Sequence, residues 1–245
     1  MSSVDWPART AELDADETHH LRKVLRLGRG DVVRVFDGAG REWEGAVAAA
    51  GRKATVSLER VVAAPAEPPV VVTLAVGLLK GDQMDTVVRE ATALGAAAIT
   101  PLVTARVVAP GRARVEAARD RWRRVAIASA KQCGRAVVPV VTEPATLEAV
   151  LSEAYGVRVM LAEPETGAAT GAEAPAKPDA RAPDVGGARP RALLLVGPEG
   201  GWTVDELAFA VSRGCRTWRL GPRTLKAELA PTVALSALWA RWGWE

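Results

Sequence analysis

The sequence predicts an α/β protein with a largely parallel sheet, preceded by a small β-barrel. Short strands separated by tight turns fill residues 31–62, which is the pattern of a small barrel. From residue 70 onward, apolar strands alternate with helices, the order that produces a parallel sheet. Between these parts, AAPAEPP (63–69) has the proline content of a linker. We therefore predict two domains, over residues 1–67 and 70–245.

The first domain is predicted to begin with a basic helix. HHLRKVLRL (19–27) has apolar residues at helical spacing, so Leu21, Val24 and Leu25 are expected to face inward. DVVRVFDG (31–38) alternates between apolar and polar residues and ends in an Asp-Gly turn. Two further strands are predicted to form a hairpin around Gly51-Arg52.

The second domain is predicted from alternating strands and helices. VVVTLAVGLL (70–79) is a continuous apolar run, typical of a strand covered on both faces. Residues 81–95 carry one apolar stripe and end at Gly95, which predicts a helix with a glycine cap. A strand over 97–103 and a helix over 112–131 follow. Four later apolar runs predict the remaining strands: VVPVV, VRVMLA, ALLLV and TWRL.

One segment interrupts this alternation. Residues 163–191 are rich in Pro, Gly and Ala and show no periodicity, so they cannot bury a core of their own. We predict a mobile insertion between two strands rather than a further domain.

Composition excludes several classes of protein. Of the 245 residues, 49% are hydrophobic and 25% are charged, which is typical of a globular protein. No apolar run reaches the length of a membrane span, and the N-terminus lacks the apolar centre of a signal peptide. We therefore expect a cytoplasmic protein without a membrane partner. Cys133 and Cys215 lie far apart in the sequence, and we expect both to be reduced, buried thiols.

Histidine content excludes two kinds of catalytic site. His19 and His20 are the only histidines, so neither a histidine-based metal site nor a Ser-His-Asp triad is expected. We expect no metal cofactor.

Positive charge is concentrated in one stretch of the chain. Residues 105–135 contain nine Lys or Arg residues against two acidic residues, although the net charge of the whole chain is only +3. A single arginine on such a helix usually contacts solvent, but a cluster of this size favours a polyanionic partner. The candidates for RNA contact here are Arg121, Arg124 and Lys131, and a second basic group on the first domain comprises Arg22, Lys23 and Arg26.

A glycine-rich turn follows the apolar run ALLLV. Gly197 to Gly201 (GPEGG) precede a predicted helix in which Thr203 and Glu206 can form a capping box. The helix is expected to bury Val204, Leu207, Ala208 and Val211. Glycines at the carboxyl end of a strand allow a ligand to approach the backbone. The turn is neither a phosphate loop nor a dinucleotide fingerprint, and taken alone it is equally explained as a tight connection.

A second irregular stretch favours the ligand interpretation. The run TWRL leads through Gly221-Pro222 into a loop that ends at an apolar helix near residue 230. Two successive strands thus end in glycine-bearing loops, and adjacent loops of this kind can enclose one flat ligand. Most of the eight tryptophans are expected to be core anchors, with Trp202 the one candidate for stacking on a base.

Six motifs, in this order, make the chain similar to the SPOUT class of methyltransferases, and specifically to the ribosomal RNA small subunit methyltransferase E family. They cover most of the chain and are HHLRKVLRLGRGD (19–31), LLKGDQMDTVVREATALG (78–95), ITPLVTAR (99–106), ASAKQCGR (128–135), LLLVGPEGG (193–201) and LGPRTLKAELA (220–230).

The resemblance implies a fold and an activity. The fold would be a PUA-like β-barrel, serving as an RNA-binding domain, followed by a SPOUT domain whose C-terminal part forms a deep trefoil knot. The cofactor would be S-adenosylmethionine, and the active form a homodimer. The reaction implied is methylation of uridine N3 in small-subunit (16S) ribosomal RNA.

The resemblance also assigns residues. Arg135, Glu199 and Arg106 would be catalytic. The residues assigned to the cofactor are Leu102, Val196, Gly197, Pro198, Glu199, Gly200, Gly201, Leu220, Gly221, Leu225, Ala227 and Glu228. The chain departs from the family pattern at Val107, Lys226 and Leu229, where the family has Ser, Arg and Thr.

Three alternatives remain open from the sequence. Glu199 can either take the N3 proton or hold its loop by bonding backbone amides. A SPOUT relative that methylates ribose 2′-oxygens is the nearest rival activity. A non-catalytic RNA-binding ribosome assembly factor is the alternative from another class, and the departures at Lys226 and Leu229 keep it open.

Overall fold

The computed structural model describes residues 3–5, 9–107, 111–163, 175–178 and 189–244. The chain divides into two compact units. The first comprises Met1–Pro65 and Gly134–Val137, and the second comprises Ala66–Cys133 and Val138–Glu245. Most of the predicted insertion at 163–191 lies outside the described residues.

The first unit contains a five-stranded antiparallel sheet in the order β1-β2-β5-β4-β3. The strands are β1 (Ser3–Asp5), β2 (Thr10–Glu12), β3 (Val32–Phe36), β4 (Glu42–Ala50) and β5 (Ala54–Val62). The predicted hairpin around Gly51-Arg52 is confirmed, because β4 and β5 pair on either side of it. One face of this sheet buries a core that includes Trp43, Val47 and Val56.

A short helix precedes β3. Helix α1 (Ala15–His19) continues into a π-helical turn (His20–Val24). Leu21 is buried as predicted, but the prediction for Val24 and Leu25 is wrong, since they are 60% and 52% exposed. The N–H of Leu25 donates to His20 O, five residues back, and this wider turn rotates both side chains away from the face that Leu21 occupies.

The first unit is discontinuous in sequence. Val137 bridges to Gly38 and Ala39. The N–H of Gly40 donates to Ala136 O at 3.1 Å. Residues Gly134–Val137 therefore belong to the first unit, although they lie far along the chain.

The second unit contains a seven-stranded sheet. Its strands are β6 (Val71–Gly77), β7 (Ala98–Val103), β8 (Val140–Val141), β9 (Ala145–Thr146), β10 (Val157–Leu161), β11 (Arg191–Val196) and β12 (Arg216–Trp218). They run in the order β12-β10-β11-β6-β7-β8, with β9 also pairing with β7. Every described pairing in this sheet is parallel, which confirms the predicted parallel sheet.

Helices cover both faces of this sheet. They are α2 (Gln83–Ala93), α3 (Arg112–Cys133), α4 (Leu147–Ser152), α5 (Val204–Ser212) and α6 (Ala230–Trp242). Side chains of a strand alternate between faces, so Leu194 joins the core beneath α2, α3 and α6, while Leu193 and Leu195 join the core beneath α4 and α5. The predicted helix over 81–95 is confirmed, and Gly95, at φ 81°, ends it.

Helix α5 confirms one prediction and contradicts another. The capping box is present: the Thr203 hydroxyl accepts from Glu206 N at 3.2 Å, and the N–H of Thr203 donates to Glu206 Oε2 at 2.9 Å. Of the predicted buried stripe, Leu207 is buried as expected, but the prediction is wrong for Val204, which is 79% exposed, for Val211, which is 52% exposed, and for the exposed Ala208. Leu207 and Ala210, three residues apart, form the buried contact.

Two further features complete the second unit. Pro175, within the predicted insertion, is buried, and its carbonyl oxygen accepts from Trp242 Nε1 at 2.9 Å.

Both cysteines are free, but the expectation that both are buried is wrong, since Cys133 is exposed and only Cys215 is buried. Within the described ranges, no helix is both long enough and apolar enough to cross a lipid bilayer.

Candidate functional site

A cavity of 440 Å³ lies at the carboxyl edge of the parallel sheet in the second unit. Its walls come from the segments that follow β10, β11 and β12. Ligand sites in open parallel sheets occur at this edge, and the volume is within the range of small-molecule sites.

The first wall is the glycine turn, residues 197–201. Its lining residues, together with the last residue of β11, are Val196, Gly197, Pro198, Glu199 and Gly201. The N–H of Gly201 donates to Pro198 O at 2.9 Å, which closes the turn. Gly201 has φ +68°, a conformation that a side-chain-bearing residue adopts only with strain. Gly200 belongs to the turn but is not among the lining residues.

Glu199 is held by the loop that precedes α2. The N–H of Lys80 donates to Glu199 Oε1 at 3.1 Å. The side-chain amide nitrogen of Gln83, turned toward this oxygen, donates a second hydrogen bond to Glu199 Oε1 at 2.8 Å. The carboxylate therefore connects the glycine turn to the carboxyl end of β6, and it also lines the cavity.

The second wall is the loop between β12 and α6. The predicted residues that line the cavity are Leu220, Leu225, Ala227 and Glu228. Gly221 is not among them. Sequence reasoning missed five further lining residues of this segment, namely Arg219, Arg223, Thr224, Lys226 and Ala230. Of the two departures in this loop, Lys226 lines the cavity, whereas Leu229 is 46% exposed and is the N-cap residue directly before α6.

The third wall was not predicted. The two glycine-bearing loops follow strands that are successive in the chain and were expected to be neighbours; in the sheet, β10 lies between β11 and β12. Its carboxyl end contributes Leu161, Ala162 and Glu163 to the cavity. The order of strands along the chain did not indicate this third wall, because the connections between parallel strands decide which strands become neighbours in the sheet. The signal available in the sequence was a carboxylate directly after an apolar strand.

Trp202 is part of the wall and not a stacking surface. It is 4% exposed, and its indole N–H donates to Leu161 O at 2.9 Å. A Cβ on Gly197 would lie 3.2 Å from Trp202 Nε1. The expectation that Trp202 could stack on a base is therefore wrong: the ring packs between the glycine turn and β10.

Arg106 contacts the back of the glycine turn. Its guanidinium donates to Gly200 O, and a Cβ on Gly200 would lie 3.2 Å from Arg106 Cδ. In the same segment, the N–H of Ala105 donates to Glu206 Oε1 at 2.8 Å. Leu102, at the end of β7, is fully buried in the same core cluster as Trp202.

Arg135 lies in the part of the chain that joins the first unit. It follows Gly134 and is 7% exposed, so its side chain is buried within the protein. It is absent from the described lining of the cavity, which the second unit alone provides.

The predicted RNA-contacting residues are mostly at the surface. Arg22, Lys23 and Arg26 of the first unit are exposed, and Arg22 donates to Gly51 O at 3.2 Å. On α3, Arg121 and Arg124 are exposed and Lys131 is half-buried. Arg121 forms an ion pair with the buried Asp85 of α2, and this pair fixes one side of the arginine against the helix surface.

The cavity lining is mixed in charge. It contains three carboxylates, on Glu163, Glu199 and Glu228, and three cations, on Arg219, Arg223 and Lys226. Such a lining suits a ligand that carries charges of both signs. Among the described residues, no group of three or more His, Cys, Asp or Glu is placed to hold a metal ion.

Comparison with known proteins identifies both units. A model of the RNA methyltransferase domain matches residues 66–239, and a model of the RNA methyltransferase PUA domain matches residues 13–58.

Curated relatives match nearly the full chain. The chain is 34% identical over 238 residues to the ribosomal RNA small subunit methyltransferase E of Synechocystis, covering 94% of this chain and 72% of that protein. It is 36% identical over 245 residues to the protein of the same name from Mycobacterium tuberculosis, covering 95% and 88%.

Solved structures share the fold. A methyltransferase of Legionella pneumophila in complex with S-adenosylmethionine superposes with a TM-score of 0.83 at 28% identity, covering 97% of this chain and 94% of that one. The ribosomal RNA small subunit methyltransferase E of Neisseria gonorrhoeae, bound to S-adenosylmethionine, has a TM-score of 0.79 at 26% identity, covering 95% and 92%.

Proposed function

We propose that this chain, which belongs to the ribosomal RNA small subunit methyltransferase E family, transfers a methyl group from S-adenosylmethionine to N3 of a uridine in small-subunit ribosomal RNA. Membership of the family supports methylation of ribosomal RNA. The choice of uridine N3 comes from the motif resemblance and is the part of the proposal that needs its own test.

The observation that carries the proposal is the common cavity. The glycine turn and the loop before α6 are separated by about twenty residues of chain, yet both line the same 440 Å³ space. At Gly197 and Gly201 a Cβ would press against Trp202 and Glu163, so glycine at both positions lets the turn pack closely against the other cavity walls. Exposed backbone groups and a lining of mixed charge fit S-adenosylmethionine, which has a polar nucleoside and a methionine part with charges of both signs.

The reaction needs a proton acceptor and an aligned methyl donor. S-adenosylmethionine supplies an electrophilic methyl group on a sulfonium and leaves as a neutral thioether. Uridine N3 must lose its proton as the new N–C bond forms, and the base must be unpaired to present N3. Glu199 is the proposed acceptor, because it lines the cavity and its carboxylate is held at Lys80 and Gln83. Glu228 is the second candidate.

Two arginines are further predicted catalytic residues. Arg106 donates a hydrogen bond to Gly200 O. We therefore propose that Arg106 fixes the shape of the glycine turn, in addition to offering positive charge to the substrate. Arg135 stays a predicted catalytic residue, with stabilisation of the uracil oxygens as its role. An Arg135→Ala enzyme is then expected to lose transfer while its affinity for S-adenosylmethionine stays near normal; full activity would refute the role.

The proposed division of labour follows the two predicted domains. Residues 1–67 would bind RNA through Arg22, Lys23 and Arg26, while residues 70–245 would hold the donor and carry out transfer. Exposed basic side chains on both units support this, because phosphate contacts give affinity without reading sequence. Of the predicted insertion at 163–191, the residues after Glu163 are proposed to have no part in the chemistry.

We further propose a C-terminal trefoil knot, a homodimer and a cytoplasmic location. A knot would bring the glycine turn and the loop before α6 together, as the shared cavity requires. The apolar Val204, Ala208 and Val211 on the exposed side of α5 support an association between copies of the chain. Light scattering of the purified protein tests the dimer, and a monomeric mass would refute it.

The decisive experiment maps modified uridines. Small-subunit ribosomal RNA from cells with and without this protein is digested and analysed by mass spectrometry, and one 3-methyluridine is expected to disappear. Loss of a 2′-O-methyl group instead would support the rival activity. Calorimetry with S-adenosylmethionine gives the second readout: no binding at saturating ligand would favour a non-catalytic assembly factor.

A further inference from the structure

The third wall of the cavity contains a carboxylate that belongs to neither of the two loop motifs. Glu163 follows β10, the strand that lies between the strands leading into the two loops. It is half-buried and lines the cavity. Its backbone is anchored to the sheet, since the neighbouring Ala162 donates its N–H to Trp218 O at 3.0 Å. Glu163 therefore lies two residues beyond the end of β10, next to a residue whose backbone is hydrogen-bonded to β12.

The glycine turn is shaped around this carboxylate. A Cβ on Gly201 would lie 2.6 Å from Glu163 Oε1, closer than Cβ atoms approach such a neighbour, and 3.2 Å from Oε2, which is a tight contact. Glycine at position 201 thus serves the left-handed backbone of the turn and also leaves space for the Glu163 side chain. The carboxylate occupies the space that a larger residue at 201 would take.

Glu199, the acidic residue of the glycine turn itself, is held by the loop that precedes α2. The Glu199 carboxylate accepts one hydrogen bond from the backbone N–H of Lys80 and another from the side-chain amide of Gln83. These two hydrogen bonds account for its position. The three cations of the lining come from Arg219 and the loop after it, not from β10. Glu163 is accordingly the carboxylate that the segment after β10 contributes to the cavity.

We propose that Glu163 binds the positive charge of the methionine part of the donor. The proposal rests on the proposed function, because it assumes that the cavity holds S-adenosylmethionine. That ligand has two cationic groups, an ammonium and a sulfonium, and either is attracted by a carboxylate in a partly desolvated site. Glu163 is therefore a binding residue that favours the charged donor over uncharged nucleosides.

The test measures three ligands on one isosteric variant. Glu163→Gln removes the charge and keeps the shape of the side chain. Isothermal titration calorimetry compares S-adenosylmethionine, S-adenosylhomocysteine, which lacks the sulfonium charge, and adenosine, which has neither cation. The variant is expected to bind S-adenosylmethionine about tenfold more weakly and adenosine as the parent does, since a half-exposed ion pair retains only part of its Coulomb energy.

The second ligand identifies which cation Glu163 meets. If the variant also loses affinity for S-adenosylhomocysteine, the partner is the ammonium; if only S-adenosylmethionine is weakened, the partner is the sulfonium. Either pattern supports the proposal. Unchanged affinity for S-adenosylmethionine overturns it, and so does an equal loss for adenosine, which would indicate general damage to the cavity.

A matched control and the parent protein separate the two proposals. Glu148→Gln makes the same change at an exposed position on α4, outside the described cavity lining, and is expected to bind all three ligands normally. If the parent protein itself binds no S-adenosylmethionine, the proposed function fails. If the parent binds and Glu163→Gln binds equally well, only the role of Glu163 fails.

Discussion

At the scale of single residues, Gly201 is under two separate constraints. Its φ of +68° disfavours any residue with a Cβ, and the space beside it is taken by Glu163. Gly214 has a similar φ of +81°, but a Cβ there would meet no atom within 4 Å. Comparing substitutions at Gly201 and Gly214 therefore separates the effect of backbone strain from the effect of crowding the Glu163 side chain.

We predict that Gly201→Ala weakens binding of S-adenosylmethionine at least about tenfold, because either the turn or Glu163 must shift. Gly214→Ala should match it in backbone strain, roughly 1 kcal/mol of unfolding free energy, and bind the ligand normally. Calorimetry and thermal unfolding on both variants give the two readouts. Equal binding by the two variants would contradict the prediction.

The two cysteines should differ in reactivity. Burial raises the pKa of the Cys215 thiol to about 11, opposed only in part by Arg158. At pH 8 about one molecule in a thousand then has the Cys215 thiolate, whereas Cys133 is exposed. A chromogenic disulfide reagent should titrate one thiol per native chain and two after unfolding. Cys133→Ser should leave no rapidly reacting thiol; two fast equivalents in the native parent would contradict this.

At the scale of elements, the turn between β3 and β4 depends on Asp37. Its carboxylate accepts the N–H groups of Ala39 at 2.8 Å and Arg41 at 3.1 Å and pairs with the Arg41 guanidinium. Partial burial acts to raise the pKa of Asp37, but these bonds outweigh it and lower the pKa below its ordinary value of 3.8. The turn is therefore held by an ionised aspartate.

The sign of this shift gives a pH prediction. A lowered folded-state pKa contributes stability that is present above pH 3.8 and is lost as the pH falls through the folded-state value. Asp37→Asn should therefore lower the unfolding temperature at pH 7, and the difference from the parent should shrink below pH 3.8. Glu59→Gln, at an exposed carboxylate on β5, is the control. A difference that grows on acidification would contradict the prediction.

The sequence predicted most elements, because their signals are local. The apolar run at 70–79, the capping box at Thr203 and Glu206, and the hairpin at Gly51 each depend on neighbouring residues. The same reasoning failed where partners lie far away in the chain. Nothing within residues 204–211 shows that Leu207 is buried together with Ala210 and not with Val204 and Val211, since all four are apolar at helical spacing.

The candidate site shows the same division. Both loops could be identified from their glycines, since these mark irregular backbone after a strand. Glu163 could not, because only the strand order places β10 between β11 and β12. Likewise, Trp202 beside a glycine turn suggested stacking, and its bond to Leu161 O, across two segments, shows its structural role.

At the scale of the whole molecule, the first unit has two kinds of basic surface, one held in ion pairs on its sheet and one exposed around the π-helical turn. On the sheet of the first unit, Arg34 lies within 4 Å of both Glu42 and Glu44, and Arg60 pairs with Glu44 at 2.8 Å. These arginines are neutralised locally. The basic group around the π-helical turn, Arg22, Lys23 and Arg26, is exposed.

We predict that replacing Arg22, Lys23 and Arg26 together by alanine weakens RNA binding and flattens its salt dependence. Each lost phosphate contact should reduce the slope of log affinity against log salt by about 0.7 to 0.9. Replacing the paired Arg34 and Arg60 by alanine is the control on the same unit, with little change expected. Filter binding of a ribosomal RNA fragment over a series of salt concentrations measures both, and an unchanged slope in the triple variant would contradict the prediction.

The return of Gly134–Val137 to the first unit affects how the protein can be dissected. Any fragment that stops at Pro65 deletes the residues that bridge to Gly38 and Ala39 and accept the N–H of Gly40. Such a truncation would leave the backbone groups of residues 38–40 without these native hydrogen-bond partners. Isolation of the N-terminal half is therefore expected to require a graft of those four residues, or the intact polypeptide.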